Sequence, residues 1–572
     1  MNSKLKEILI TSWYEPRAFF SWLVLLCLTP LGIICVAKIS ETNGVLLVAT
    51  LSVLGAGISL VGFILSWIPP VRRMLERVLR RRFFYLACLI TLIAVFYSVE
   101  NWRGKRAWEK HVRELEAKGE KLDLASLARS PVPDEKNFAM TPLFKDMMDF
   151  FPLRENTNGM ERLRNISATI TFQGDRRESL PSGSLFKHAM ADLEACREFY
   201  RGNTNYPQPE KSGTAAEDIL VALSKFEPEL NELREASANR PYSRFPLTYE
   251  LEPPSDILLP HLSFLKSVCL VVNLQTIAQL ETRQLNNAFR DLKLGFRLSD
   301  SIREEPIFIA HLVRIAMLAG PLQGLREGIA RQSWSDAQLA EMEQYLSSIN
   351  LLGEYKHAMR GERIINISGL DYMRRTRIVY NEPQRGELGV TTPIGPVFPG
   401  GWFYQNMLAM SQMHQDYTLA CVDETKRRVY PEFNRRLDKA TMNLVSKKRL
   451  YPYRIFAAMM FPAFAKASEK PSHMQTFVDA ARISCALERY RLAIGKLPEK
   501  LDLLVPQFIS AIPTDVIDGH ALRYRSTSDN SYLIYSIGLN GKDDGGVVAW
   551  KKGKTPEVDK EKGDWVWASE AK

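Results

Sequence analysis

Three uninterrupted apolar runs open the chain, at residues 18–36, 44–68 and 83–99, and none holds a charged residue. Crossing the hydrocarbon takes about 20 apolar residues at roughly 1.5 Å rise each, so each run predicts a transmembrane helix, the third being the shortest. The competing assignment is a helical hairpin buried in a soluble core, and three such runs inside the first hundred residues argue against it. Trp13, Tyr14, Trp22, Trp67 and Trp102 stand near the predicted boundaries, where amphipathic rings settle at the headgroup level. No small-x-small site follows the first run, and another run begins within ten residues. That predicts a retained helix rather than a cleaved signal.

Behind the third run the periodicity changes. Residues 102–121 are helical in pattern and densely charged, a polar stalk with Gly119 as its stop. Pro131 and Pro133 break the chain, and 122–185 predict an irregular, turn-rich segment. Residues 186–350 read as successive amphipathic helices. Leu270, Leu274, Ile277 and Leu280 recur at three- and four-residue steps, a polar break follows at 281–284, and Ala288, Leu292 and Leu298 mark a partner helix. Such hairpins stack in helical arrays, although no clean repeat period of about 34 residues is present. Ser335 and Gln338 form a capping box ahead of Leu339, Met342 and Leu346. Residues 381–402 are rich in Gly and Pro and predict a long loop ending in Trp402, Phe403 and Tyr404. The apolar patch 455–465 is too short to span a bilayer and predicts core.

The expected fold class is therefore mainly α, with three N-terminal transmembrane helices, a large soluble helical region, and a small α+β C-terminal module with a β-hairpin. The expected organisation is a transmembrane region over 1–100, stalk and irregular segment over 101–185, and an α-helical domain over 186–474. The α+β module follows over 475–550, with a tail over 551–572.

Charge determines how such a chain threads. The net charge is +10. Arg72, Arg73, Arg77, Arg80, Arg81 and Arg82 lie between the second and third runs, whereas 37–43 holds only Lys38. Lysine and arginine resist export, so the N-terminus and a 69–82 loop are expected in the cytoplasm, in contact with phospholipid headgroups. Everything after residue 100 is then expected on the periplasmic side of a bacterial inner membrane. Arg103, Lys105, Arg106, Lys110 and Arg113 oppose that threading. No nucleic-acid recognition motif accompanies the basic balance, which assigns the excess to the bilayer. Of the seven cysteines, Cys27, Cys35 and Cys88 fall inside apolar runs. Cys196, Cys269, Cys421 and Cys485 are scattered without CxxC or metal spacing, which predicts buried, unreactive thiols and leaves a disulfide open.

The C-terminal module has the most distinctive order. A helix ending in ALERYRLAIGKLP stops at Gly495, with Pro498 just beyond. A short helix in LDLLVP, a strand near Tyr524, a turn at Asp529-Asn530 and a partner strand in SYLIYS follow. The order is carried by Tyr490, Gly495, Pro498, Pro513, Asp515, Gly519, Tyr524, Tyr535, Ser536, Gly538, Gly541, Gly545 and Gly546. It resembles the globular part of the major pseudopilin of type II secretion systems. No prepilin-peptidase site precedes the helix, so the resemblance implies a related module and not a pseudopilin. It also implies a calcium-binding closing loop, for which Asn540, Asp543 and Asp544 supply the oxygen donors that a hard cation prefers. The spacing is not that of an EF-hand. The alternative is a Gly-rich turn whose Asn and Asp residues satisfy local backbone groups. The stretch 108–144 and the tail motifs are similar to a group of multi-pass membrane proteins from planctomycete and verrucomicrobial bacteria, a resemblance that implies no particular activity.

Catalytic signatures are missing. None of the eight histidines falls into HExxH, HxH or HxxxH, and GxSxG, a Walker lysine loop and GxGxxG are absent. No catalytic or cofactor-binding residue is nominated. The expected function is a membrane-anchored envelope protein that binds other proteins through its exported helical domain. The alternative is a membrane-anchored, hydrolase-like enzyme whose catalytic residues are dispersed in sequence. A sensor ranks last, because the cytoplasmic segments are too small for an output domain.

Overall fold

The structure is a computed structural model. It describes residues 16–17, 19–21, 23–24, 55–153, 185–380, 391–393, 398–446, 452–526, 531–553 and 557–569. It is mainly helical and divides into two units, residues 1–103 and 104–572. The first expected span lies almost entirely outside the described residues. The second is described only from Gly55, where an apolar helix covers Gly55–Leu65.

The third span lies inside α1 (Pro69–Ala117), a helix of 49 residues. Residues 69–82, expected as a loop, are its opening turns. Pro69 and Pro70 sit where a missing N–H costs nothing, and Arg, Leu and Glu, all good helix formers, follow. Arg72 and Glu76 add an i,i+4 pair at 3.0 Å. The far end stops at the predicted glycine. Gly119 takes φ +75°, the Glu120 N–H donates to the Leu115 carbonyl at 3.1 Å, and the Gly119 N–H donates to the Glu116 carbonyl at 2.9 Å. This is a Schellman closure, which a residue with a Cβ adopts only under strain.

Three helices among the described residues are long and apolar enough to cross a membrane, over Pro69–Ala117, Pro254–Glu281 and Phe308–Ala330. Their surroundings differ. The apolar window of the first is 0% buried, against 56% and 67% for the other two. Those two also bury polar side chains, His261, Gln275 and Gln279 on one and Arg314, Gln323 and Glu327 on the other. They are the core helices α2 (Pro260–Glu281) and, beyond α3 (Leu285–Asp300), α4 (Phe308–Ala330) of the second unit.

The α2–α3 hairpin has the predicted break, ending at Glu281 and resuming at Leu285. Leu274, Ile277, Leu280, Ala288, Leu292 and Leu298 are buried, whereas Leu270 is exposed. Each fully buried leucine or phenylalanine stabilises by about 1.5–3 kcal/mol. One face of α2–α4 shares a core with residues 124–147 and 196–249. The other side joins α5 (Asp336–Ser347), α6 (Leu351–Thr376), α7 (Gly400–Met413) and α8 (Glu469–Ile494). The capping box predicted for α5 is formed by Ser335 and Gln338. Residues 378–380, just ahead of the expected long loop, pair with 391–393 inside it as an antiparallel ribbon. The α7 helix already begins at Gly400 and takes in Trp402, Phe403 and Tyr404.

Residues 471–488 of α8 are buried on every side, against α4, α5 and α6 and against the C-terminal sheet. That sheet is antiparallel, in the order β1 (Arg523–Ser526), β2 (Tyr532–Ser536), β5 (Trp565–Ala568), beside a ribbon of β3 (Val548–Lys551) and β4 (Glu557–Gly563). The predicted hairpin is β1–β2, and its Asp529-Asn530 turn lies outside the described residues. Tyr532, Ile534 and Ser536 point inward at every second position. Residues 551–572 are more than a tail: they supply β4 and β5. Trp565 and Trp567 are buried and meet His473 and Phe477 of α8, ring centroids 5.0 and 6.1 Å apart. These strands share one core with the helices around α8.

Candidate functional site

The predicted cation loop is stitched to its own backbone. The Asn540 amide donates to Asp544 Oδ2 at 2.9 Å, while Asn540 Oδ1 accepts the Lys542 N–H and Asp543 Oδ1 accepts the Gly545 N–H. Asp564, from the turn before β5, accepts the N–H groups of Gly546 at 2.6 Å and Asp544 at 3.3 Å. Asp543 Oδ2 lies 3.8 Å from Arg523 Nε. Among the described residues no three His, Cys, Asp or Glu side chains are placed to hold a metal ion. One oxygen each of Asn540 and Asp543 thus serves an N–H group of the loop itself.

Of the remaining motif residues, Ser536 and Gly519 meet Asp515, which is fully buried. Its carboxylate accepts the N–H of Ile517 at 2.9 Å, the Ser536 hydroxyl at 2.8 Å, the N–H of Ile537 at 3.1 Å and Arg523 Nη1 at 2.8 Å. Tyr524 donates its hydroxyl to the Pro498 carbonyl at 2.9 Å. Burial pushes the Asp515 carboxyl up from its ordinary value, and the Ile517 and Ser536 donors hold against that rise. Asp515 is thus a structural keystone. Asp515→Ala strands four donors in the interior and is expected to cost about 3 kcal/mol, read as a lower urea midpoint followed by tryptophan fluorescence.

A second polar cluster lies where the end of α1 meets α6 and α7. Gly104 allows the approach: a Cβ there would meet the Gly401 carbonyl oxygen at 2.3 Å. His111 Nε2 is 2.9 Å from Ser411 Oγ. The fully buried Arg363 of α6 donates to Glu120 at 2.7 Å and to Gln415 at 3.1 Å. Burial pushes the Glu120 carboxyl up, but hydrogen bonding and charge from Arg363 and Arg360 outweigh it and hold the group below its ordinary value. Just past α7 the chain widens into a π-turn over His414–Leu419, a feature that often re-aims side chains. Here it directs the Thr418 carbonyl to the Tyr355 hydroxyl at 3.0 Å and places Cys421 beside it.

A Ser–His contact and a thiol would suit nucleophilic chemistry if they were reachable and activated. They are neither. Ser411 is fully buried, His111 is pushed below its ordinary value by burial, and burial lifts the Cys421 thiol to about 11. Burial likewise lifts Cys196 to about 12. Cys196, Cys269, Cys421 and Cys485 are all buried, and none of them is in a disulfide. The cluster clamps helices together.

The last candidate is open to solvent. A groove of about 590 Å³ runs between Phe186–Lys187, the start of α8 and the β3–β4 ribbon, lined by Lys187, Lys466, Lys470, Lys551 and Lys560 with Glu469, Glu557, Asp559 and Glu561. No local pattern announces it, because its walls come from segments up to 375 residues apart, from Phe186 to Glu561, one of them in the expected tail. Against this geometry, comparison of the chain with protein-family models, with curated proteins and with solved structures found no match.

Proposed function

We propose that this chain is a multi-pass inner-membrane protein of a bacterial cell, whose helical unit is a non-catalytic binding platform on the periplasmic side. One observation carries the membrane assignment: the apolar window of α1 is bare on every face. Phe84, Leu89, Leu92 and Val95 are each more than half exposed, and a helix that is apolar all round needs either a protein core or lipid around it. Lipid is therefore its partner, and the arginines of its opening turns suit anionic headgroups on the cytoplasmic face.

The non-catalytic reading rests on where the buried polar groups go. Asp515, Arg363, Ser411 and His111 are consumed in contacts between elements, and none lines the groove. Protein partners are the expected ligands of the platform, and nucleic acid is not.

Full-length protein made without detergent is expected in the membrane pellet after high-speed spinning and carbonate washing. Alkaline phosphatase fused after Lys572 should be active, whereas a fluorescent protein fused there should stay dark. A bright fluorescent fusion would reverse the assigned side and leave the anchor standing. Recovery of the chain in the supernatant would remove the anchor itself. Detergent-solubilised membranes should yield a stable protein partner on affinity capture, and repeated recovery of none would count against the platform.

A further inference from the structure

The charges lining the groove do not cancel. Glu561 pairs with Lys466, and Glu557 lies 3.6 Å from Lys551. Asp559 is 3.4 Å from Lys562, outside the lining, and also accepts the Glu561 N–H. Lys187, Lys470 and Lys560 are left with no ion-pair partner within 4 Å among the described residues. Glu469 is the one carboxylate without such a pair.

The floor is apolar and firmly packed. Lys560 Nζ sits 5.3 Å from the centroid of the Phe186 ring, and Phe186 rests on His473 and Phe477 at 4.8 and 5.1 Å between centroids. Burial pushes the Lys560 ammonium below its ordinary value, and Lys470 and Lys551 push it further. Burial pushes the Glu469 carboxyl up from its ordinary value, and its charge partly offsets the push on Lys560.

We propose that this groove binds a phosphate group, as inorganic phosphate or as a phosphate monoester, held by Lys187, Lys470 and Lys560. Three ammonium groups ask for a ligand with more than one negative charge and more than two acceptor oxygens. Phosphate has both, and a single carboxylate has neither. The groove exceeds the volume of a phosphate ion, so a monoester has room for its substituent over the Phe186 ring. The inference stands on the groove alone and is independent of the membrane assignment.

The test uses the full-length chain in nanodiscs of phosphatidylcholine, titrated with inorganic phosphate and with glycerol phosphate at constant ionic strength and followed by calorimetry. Saturable binding is expected, with Lys470→Gln/Lys560→Gln weakening it by at least ~10-fold and Lys496→Gln, exposed beyond the far end of α8, leaving it unchanged, since tenfold is what loss of one charge-assisted contact brings. A third arm replaces part of the lipid with phosphatidic acid. A response confined to that arm and lost in the double variant supports the site with a lipid as its source. Both side chains reach solvent, so the double variant is expected to keep the wild-type urea midpoint. Lys470→Gln alone serves if it does not. Absence of binding in all arms, or binding of equal strength in the double variant, overturns the proposal.

Discussion

Arg314→Leu is expected to destabilise the helical unit by about 3–5 kcal/mol, the cost of stranding buried charges whose partner is removed. Arg314 is fully buried on α4. Its Nη1 lies 2.8 Å from Asp300 Oδ1 at the end of α3, and its Nε lies 2.7 Å from Glu354 Oε2 on α6. Tyr345 of α5 donates to the second oxygen of Asp300 at 2.6 Å, and Arg303 meets Glu354 at 2.9 Å. One guanidinium thus joins four helices. Leucine keeps much of the bulk and removes every guanidinium donor, which leaves two carboxylates in the interior with Tyr345, Arg303 and, at 3.9 Å, His311 beside them.

Lysine is expected to fall between the two, because a single ammonium cannot span both acceptors in the fork geometry of arginine. Arg314→Met combined with Asp300→Asn and Glu354→Gln should recover part of the loss, since the unpaired charges go with the arginine. Chemical unfolding followed by circular dichroism measures all three. A loss below about 1 kcal/mol for Arg314→Leu would place the pair among those whose desolvation cancels their attraction.

Arg314 also shows where sequence reasoning stops. The periodic positions of the α2–α3 hairpin, the Ser335–Gln338 box and the Gly119 and Gly495 stops are local features, set within one or two helical turns, and they are legible as such. Leu270 breaks the pattern because periodicity assigns a face without saying how wide the neighbouring helix is. Charge alone predicts a loop for the arginines at 72–82, whereas Pro69 and Pro70 are a helix-initiation signal.

The partners of Arg314 and Arg363 come from elements 14 to 243 residues away, and no spacing rule encodes such meetings. The same holds for Trp565 and Trp567. Their alternation with Val566 is a strand signal, but four residues near the end of a chain gain strand character only by pairing with Tyr532–Ser536. The groove inherits that problem, being built partly from those last strands.

Acid is expected to destabilise the helical unit because histidines are buried in the neutral form: His311, which burial and the charge of Arg314 push down to about 3, and two more that act with it. His414 sits between Phe461 and Phe464, with its Nδ1 3.0 Å from Thr418 Oγ1. Burial, helped by the charge of Arg363, pushes it down to about 3. His473 is enclosed by Phe186, Phe477 and Trp565. Burial, with Lys560 and His188 nearby, pushes it well below its ordinary value of 6.5. In the unfolded chain all three bind a proton near that ordinary value, so the unfolded state takes up protons first. Their contribution is present above pH 6.5 and is lost as pH falls below it. Each costs up to about 1.4 kcal/mol per pH unit, so His414 and His473 alone remove about 3 kcal/mol between pH 7.5 and 5.5, and His311 adds to that loss.

Lower still, the balance changes. Burial raises the carboxyls of Asp479, Asp515 and Glu362, and these gain protons in the folded state as pH falls, which opposes the histidines. Glu120, held below its ordinary value, adds to the loss there. The clean window is therefore the two units below neutrality. Urea midpoints of wild type and His414→Gln at pH 7.5 and 5.5 isolate the term: the variant is less stable at both, but its loss between them should be smaller by about 1.4 kcal/mol. Equal losses in the two proteins would mean that His414 is protonated in the fold, against its enclosure by two phenylalanine rings.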